Sequence, residues 1–537
     1  MKTDIKASAA FYTETGIIAD TPEKPAVAKY RKDIGKNTYK LYISSKYRPA
    51  GVAAQIPVYP NINDTVFMNG FQSATESREM SITGKMNGLS ETLSSYLKRK
   101  YAAFSGGDYD FARYSKKPGI MHGFSYCYFR SGDKIKLFAS LDESLGYTIF
   151  RFDAWTCTLR VSRDIKGLKR FDGRPAISLF YAEGEENEVF DLWFKALGER
   201  EMPFAEKLVG YSTAGKEISE DTLCENLEAM KKFPVKPNVF IIDSKYCANG
   251  DWLSPDTDKF PVGLKEFAQY AHERELLAGI SVSPFTAEEK SEVVRLHKNW
   301  LITDRDGKYL KIKNNLYVLD FCKPEVREYI RGVLHTILFM WGYDLIKLNN
   351  LYAAALIPSK GLSRGGKMCA AMRFLRECCG GKLLYADNVP LMPAFGLADY
   401  CRISCEAVSD NMPVFMRGRI FRESASVKNA ASDIVFRRML DNRAFVNAPC
   451  PVSLDEKEFM TDRKLSDSEQ NLLITLEGLF TSVHIITDDV SLYNQRKKRQ
   501  IKKMCSLDGA TDVKVINSAE RYIAGYKLGD KSYLIKF

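Results

Sequence analysis

Histidine is scarce in this chain: five residues, at positions 122, 272, 297, 335 and 484. None form HxxxH, and the twelve cysteines include no CxxC pair, so the spacings that announce a metal site are missing. No GxSxG elbow occurs, and Gly365-Gly366-Lys367 and Gly380-Gly381-Lys382 lack the upstream spacing of a phosphate loop. A run of about 18 apolar residues is also missing, which argues against a transmembrane helix. The opening MKTDIKASAAFYTETG has no apolar core of the kind a secretory leader needs. With no export signal, reduced thiols in a cytoplasmic protein are expected, and adjacent Cys378 and Cys379 cannot easily bridge each other. No metal or cofactor is called for, and no membrane partner.

What is present has the proportions of a soluble globular protein: 45% hydrophobic, 27% charged and 12% aromatic residues over 537 positions, enough for three or four domains. Lys and Arg outnumber Asp and Glu by 78 to 67, a mild excess of +11. Part of it is local, in Arg496, Lys497, Lys498, Arg499, Lys502 and Lys503. No aromatic platform accompanies that run, so it reads as a solvated helix face and not as a nucleic-acid surface.

The chain divides into three parts. Residues 1–200 show short apolar runs, such as Tyr39–Ile43, Ile135–Phe138 and Ala176–Phe180, separated by turn signals such as Ser131-Gly132-Asp133-Lys134 and Asp172-Gly173-Arg174-Pro175. A large N-terminal β-sandwich is expected. Over residues 207–485, strand-like runs alternate with helical stretches. The eight candidate strands are Leu208–Thr213, Val239–Ser244, Ala278–Ser283, Leu316–Phe321, Asp344–Asn349, Lys382–Asp387, Tyr400–Glu406 and Arg443–Ala448. Ser219 and Ser426 are placed as helix caps, and Pro324 as the first residue of a helix. This rhythm predicts a central (β/α)8 TIM barrel. Residues 486–537 read as a basic helix followed by a small antiparallel β-domain.

Working residues in such barrels lie at the C-terminal ends of strands. The ends here carry Asp243, Asp320, Lys347 with Asn349, Asp387, Glu406 with Asp410, and Asn447. Acids, amides and one Lys suit recognition of sugar hydroxyls and glycosidic hydrolysis, although polar residues gather at any loop-facing rim.

Longer motifs sharpen that reading. The stretch from Tyr343 to Leu356, with Lys347-Leu348-Asn349, resembles the nucleophile strand of glycoside hydrolase family 36, the α-galactosidases or melibiases. Asn249-Gly250-Asp251-Trp252 followed by Phe260-Pro261-Val262-Gly263-Leu264-Lys265 is similar to another family segment, as are Leu319-Asp320-Phe321 and Pro393–Ile403. In the N-terminal part, Asn69-Gly70-Phe71-Gln72-Ser73 resembles the family's NGYQSW motif, and His122-Gly123 has a counterpart. The resemblance spans about residues 60–490 in consistent order. It implies a retaining hydrolase acting on or binding α-linked galactosides or related sugars, cofactor-free and often a homo-oligomer. Asp243, Ser244, Trp252, Lys347, Asp387 and Arg402 fall at substrate-binding positions.

The departures cluster at the chemistry. The family's nucleophilic Asp is Asn349 here, and a carboxamide is a far poorer nucleophile than a carboxylate. Its acid/base Asp is Glu406, longer by one methylene; Asp410 substitutes only if its loop bends back. The paired Asp-Asp that grips galactose is Asp243-Ser244, the Trp wall after the third strand is Ser281, and the motif Trp is Ala74. Three readings follow: an α-galactosidase-like hydrolase, with Asp387 as one source of the missing carboxylate; a catalytically inactive carbohydrate-binding or regulatory pseudoenzyme; or a structural partner of an active paralogue.

Overall fold

A computed structural model describes residues 5–88, 112–198, 205–243, 245–304, 306–312, 315–359, 361–408, 422–451, 453–454, 464–518 and 521–537. Ser244 and Asp410, two of the predicted site residues, lie outside them.

Among its described residues, the N-terminal part forms two antiparallel sheets, one of six strands and one of seven. Alternating residues of both sheets, among them Phe11, Leu41, Val52, Phe138, Phe150, Phe152 and Leu179, meet in a shared core. The hairpin from Tyr126–Ser131 to Lys134–Ser140 turns at Gly132-Asp133, with Ser131 opposite Lys134 and Gly132 at φ +58°. A Gly at a left-handed position of a two-residue loop matches the twist of the flanking strands. This is the expected sandwich.

The barrel follows. Its eight parallel strands are Leu208–Ser212, Val239–Ile242, Leu277–Val282, Leu345–Leu348, Leu383–Ala386, Tyr400–Arg402, Val446–Ala448 and Val483–Ile486. The first strand pairs with both the second and the eighth, and the ladder continues from the second to the seventh. Close approach of the first two strands requires Gly210, where an added Cβ would sit 2.0 Å from Val239 O.

One predicted strand is displaced. Leu316–Phe321 supplies no barrel strand; Tyr317–Val318 pairs antiparallel with Thr286–Ala287 in an excursion after the third barrel strand. Its apolar side chains, Leu316, Val318 and Leu319, are buried there, so local hydrophobicity was satisfied by a different partner. The eighth strand is Val483–Ile486 instead, fully buried and following helix Asp467–Phe480.

Helix starts follow the local chemistry. Ser219 caps Glu220–Ala229 through Thr222 N, Ser426 caps Val427–Phe436 through Asn429 N, and Pro324 opens Pro324–His335. The chain closes with the basic helix Gln495–Ser506 and a three-stranded antiparallel sheet, Thr511–Ser518, Arg521–Leu528 and Lys531–Lys536. That sheet leans on the rest through Tyr522, whose ring packs edge-on to Phe436 at 4.9 Å and whose hydroxyl donates to Glu79 O.

Sandwich and barrel meet where helix Arg364–Cys379 begins. Arg364 Nε pairs with Asp164 Oδ2 at 2.7 Å, both buried, and a Cβ on Gly365 would lie 2.8 Å from Glu143 O. Glu143 is buried in this junction. Its Oε1 accepts from Ser125 Oγ and Thr148 N, while Oε2 has no partner among the described residues. Burial pushes its pKa up to about 7. A carboxyl raised in the folded state favours folding below its unfolded pKa and loses that contribution as pH rises through the folded value. Glu143→Gln keeps the acceptor and removes the charge. It is expected to gain about 1–2 kcal/mol at pH 8 and little at pH 5, checked by urea unfolding at both values.

Candidate active site at the C-terminal ends of the barrel strands

Side-chain parity builds the site. Successive residues of a strand point to opposite faces, so residues two apart share one. Val239, Ile241, Leu345, Tyr385, Tyr400 and Val446 form the interior cluster of the barrel. Continuing each strand on the same parity reaches Asp243, Lys347 and Asn349, Asp387, and Arg402. The ladder places Ser281 beside Lys347 and Lys347 beside Tyr385. Five predicted residues therefore converge at the end of the barrel where its strands finish.

Their contacts form a closed charge cluster. Lys347 Nζ lies 2.5 Å from Asp243 Oδ2 and 3.6 Å from Asp387 Oδ2. Arg402 Nη1 donates to Asp387 Oδ2 at 3.3 Å and Nε to Ser404 O at 2.9 Å. Asn349 Nδ2 donates to Asp243 Oδ1 at 3.2 Å, and Ser281 also hydrogen-bonds Asp243. Thr213 Oγ1 accepts from Asp243 N at 2.8 Å, anchoring the end of the second strand to the first. Two carboxylates face two cations, and Asp243, Lys347, Asp387 and Arg402 are all buried.

Burial opposes ionisation of Asp243, but the Lys347 charge and the bonds from Lys347, Ser281 and Asn349 outweigh it and hold its pKa below the usual carboxylate value. Burial likewise opposes the Lys347 charge, and Asp243 with Asp387 overcomes it and raises the pKa. Two acceptors remain without a partner among the described residues, Asn349 Oδ1 and Asp387 Oδ1. The cluster thus offers a fixed, water-poor set of charges with open acceptor positions, suited to gripping the hydroxyls of a polar ligand.

The other predicted residues fall at varying distance. Glu406 is half-buried past the sixth strand, and its charge acts on Arg402 and Cys450. Trp252 is buried against Tyr246, with ring centroids 6.0 Å apart, and Tyr246 Oη donates to Ser281 O at 2.9 Å. Trp252 therefore backs the wall that carries Ser281. Two residues named at strand ends do not join. Asn447 has the outward parity of its strand and donates to Arg437 O, and Asp320 belongs to the displaced excursion, where its Oδ1 accepts from Cys322 N.

Two participants were missed by the motif reading. The Tyr385 ring lies under Lys347 Nζ at 5.6 Å from its centroid. Cys450 stands two residues beyond Ala448, on its inward parity, and its thiol feels Arg402, Glu406, Asp387 and Lys347 while burial pushes its pKa up to about 11. Parity along the seventh strand was the signal that would have found it.

The Asn69–Ser73 motif has a positioning role. The Arg437 guanidinium, fully buried, donates to Gln72 O, Ser73 O and Thr75 O from the sandwich, and to Ile403 O at the end of the sixth strand. Ser73 N donates to Val389 O just past the fifth. Gly70 is needed there, since a Cβ would sit 2.2 Å from Thr75 O. The sandwich loop is thereby tied to the strand ends that carry Asp387 and Arg402.

Among the described residues, no three His, Cys, Asp or Glu side chains come together as metal ligands, and no helix is long and apolar enough to cross a membrane.

The melibiase family model matches residues 242–376, the segment that holds Asp243, Trp252, Lys347 and Asn349. A bifunctional α-galactosidase/sucrose kinase from Mediterraneibacter gnavus is 31% identical over 98 residues, which cover 18% of this chain and 10% of the relative's length. Among solved structures, the Thermus thermophilus α-galactosidase TtGalA, complexed with p-nitrophenyl α-D-galactopyranoside, matches with a TM-score of 0.68 at 22% identity, covering 94% of this chain and 98% of its own. The family 36 α-galactosidase AgaA of Geobacillus stearothermophilus matches with a TM-score of 0.59 at 12% identity, over 98% of this chain and 75% of its own. The structural likenesses establish the shared architecture, and the family match takes in Asp243, Lys347 and Asn349 of the charge cluster but ends before Asp387 and Arg402. Residues 242–376 thus match the melibiase family, within a fold shared with the family 36 α-galactosidases.

Proposed function

We propose that this chain is an α-galactosidase-like protein whose barrel pocket takes an α-linked galactoside or a related sugar. With Asn349 in the nucleophile position, it hydrolyses such sugars poorly or not at all. The observation that carries the reading is the Lys347–Asp243–Asn349 contact set. Lys347 and Asp243 keep the family's sugar-gripping positions, while the residue next to them offers a carboxamide. Retaining hydrolysis needs a carboxylate to form and release a glycosyl ester, with a second carboxyl serving as acid and then base. Glu406 retains a carboxyl for the second role. Asn349 cannot fill the first, because its nitrogen is engaged by Asp243 and its oxygen carries no charge. Sugar recognition without efficient turnover is what these residues support.

A second reading rests on Asp387. Its Oδ2 is held by Lys347 and Arg402, and its Oδ1 has no partner among the described residues, so in this reading it supplies the missing nucleophile.

Purified protein assayed on aryl α-galactosides beside a broad aryl-glycoside panel, with galactose and stachyose binding measured by calorimetry, separates the readings. The expected result is binding with turnover lower by several orders of magnitude than that of ordinary family members. Turnover abolished by Asp387→Asn would establish the second reading. Robust turnover that survives Asp387→Asn and Asp410→Asn but is lost in Asn349→Ala would overturn the proposal. Binding of no sugar would leave only a structural role.

A further inference from the structure

Away from the barrel mouth, helices Asp467–Phe480 and Gln495–Ser506 pack side by side and leave a groove of about 370 Å3 between them. Gln500, Ile501 and Met504 of the second helix are buried in this seam. Arg496, Arg499 and Lys503 follow at i, i+3 and i+7, one stripe of a helix, and line the groove together with Asn471 and Gln500. No acidic residue is among the lining residues.

Among the described residues, two of these three cations, Arg499 and Lys503, have no acidic partner. Arg496 pairs at the exposed rim with Asp467 at 2.5 Å. Arg499 Nε donates to Gln495 O, and Lys503 Nζ to Thr475 Oγ1 at 2.9 Å; neither of these acceptors carries a charge. Burial lowers the Lys503 pKa. Gln500 is 7% exposed; its Nε2 donates to Asn471 Oδ1, and its Oε1 has no partner among the described residues. A merely solvated helix face accounts for the charges but not for a concave wall with a buried, unsatisfied amide oxygen among them. Burying such an oxygen costs free energy unless a donor reaches it.

We propose that this groove binds a phosphate group, free or carried on a small sugar, with Arg496, Arg499 and Lys503 on the phosphate oxygens and Gln500 Oε1 accepting from a hydroxyl of the ligand. Guanidinium groups match phosphate oxygens through paired N–H donors, and an ammonium adds a point charge. The volume falls in the range of small-molecule sites and exceeds what one phosphate needs. The proposal is independent of the barrel reading, since the two sites share no residue.

Calorimetry at low ionic strength with inorganic phosphate, glucose 6-phosphate and glucose tests it on the full chain. Saturable binding of one phosphate or one glucose 6-phosphate per chain, with none for glucose, is expected. Arg499→Gln/Lys503→Gln should weaken it by at least about tenfold. Lys498→Gln/Lys502→Gln removes the same charge outside the groove and should leave it within about twofold. Tighter binding of glucose 6-phosphate than of phosphate, lost in Gln500→Leu, would identify the sugar-borne form; equal binding would identify free phosphate. Unsaturable binding, or equal weakening by both double variants at unchanged melting temperature, would overturn the site.

Discussion

Asn349→Asp, made alone, is expected to leave hydrolysis of an activated aryl α-galactoside at least about a hundredfold below that of ordinary family members. The substitution returns a carboxylate at nearly unchanged volume, but into an occupied position. Asn349 Nδ2 sits 3.2 Å from Asp243 Oδ1 as a donor, and the introduced oxygen would meet that carboxylate as a like charge. Lys347, the cation in contact, is already shared between Asp243 and Asp387. Two carboxyls at that distance do not both ionise readily, so the pKa of the new group is raised. Residual activity should therefore climb as pH rises through that raised value. The proposed pocket is also expected to hold a sugar less firmly. Ser281 hydrogen-bonds Asp243, and by the family resemblance it stands where an aromatic wall is expected and Ser244 where a second carboxylate is. Substantial repair is expected only when Asn349→Asp is combined with Ser244→Asp and Glu406→Asp. Initial rates decide: a single variant as fast as ordinary members would show that Asn349 is the pocket's one defect.

Lys347→Met should destabilise the fold by about 3–5 kcal/mol near pH 7, because it strips a buried cation from two buried carboxylates. Arg402 still reaches Asp387, but among the described residues the Asp243 carboxylate keeps only the neutral donors Asn349 and Ser281. The pH dependence should reverse. In the native protein the Asp243 pKa is depressed, so its contribution is present above about pH 4, the unfolded value, and is lost as pH falls. Without Lys347, burial raises that pKa, and stability is lost as pH rises instead. Urea unfolding at pH 5 and pH 7 should show the deficit shrinking on acidification, and Lys347→Met/Asp243→Asn should recover part of it. A small deficit equal at both pH values would contradict the charge cluster as described.

Much of the site was legible because a strand's parity is a local property. Once Leu345–Leu348 is recognised as a strand, Lys347 and Asn349 must share a face, and the same rule carries Asp243, Asp387 and Arg402 to theirs. Parity also condemned Asn447, and it reaches Cys450, which the motifs alone did not single out. Helix caps at Ser219 and Ser426 were equally readable, since a side-chain oxygen bonding a backbone N–H three residues on needs nothing distant.

Partner choice was not legible in the same way. Leu316–Phe321 and Val483–Ile486 are both short apolar runs able to fill a barrel position. Hydrophobicity records that each must be buried, not which ladder will bury it, and the excursion claimed the first while the second joined the barrel beside its first strand. Arg437 shows the same limit. Nothing around it announces that its guanidinium will gather carbonyls from residues 72, 73, 75 and 403, because those acceptors come together only when sandwich and barrel dock. By itself the sequence determined the three-part architecture, the resemblance to family 36 and the residue types at the strand ends, all of which depend on local pattern and order along the chain. The tertiary structure alone decided that Asn349 would donate to Asp243, that Lys347 would be shared by two carboxylates, and that a sandwich loop would brace the strands behind them. Contact energies of a few ångströms' reach act between groups far apart in sequence, and only the folded chain sets those distances.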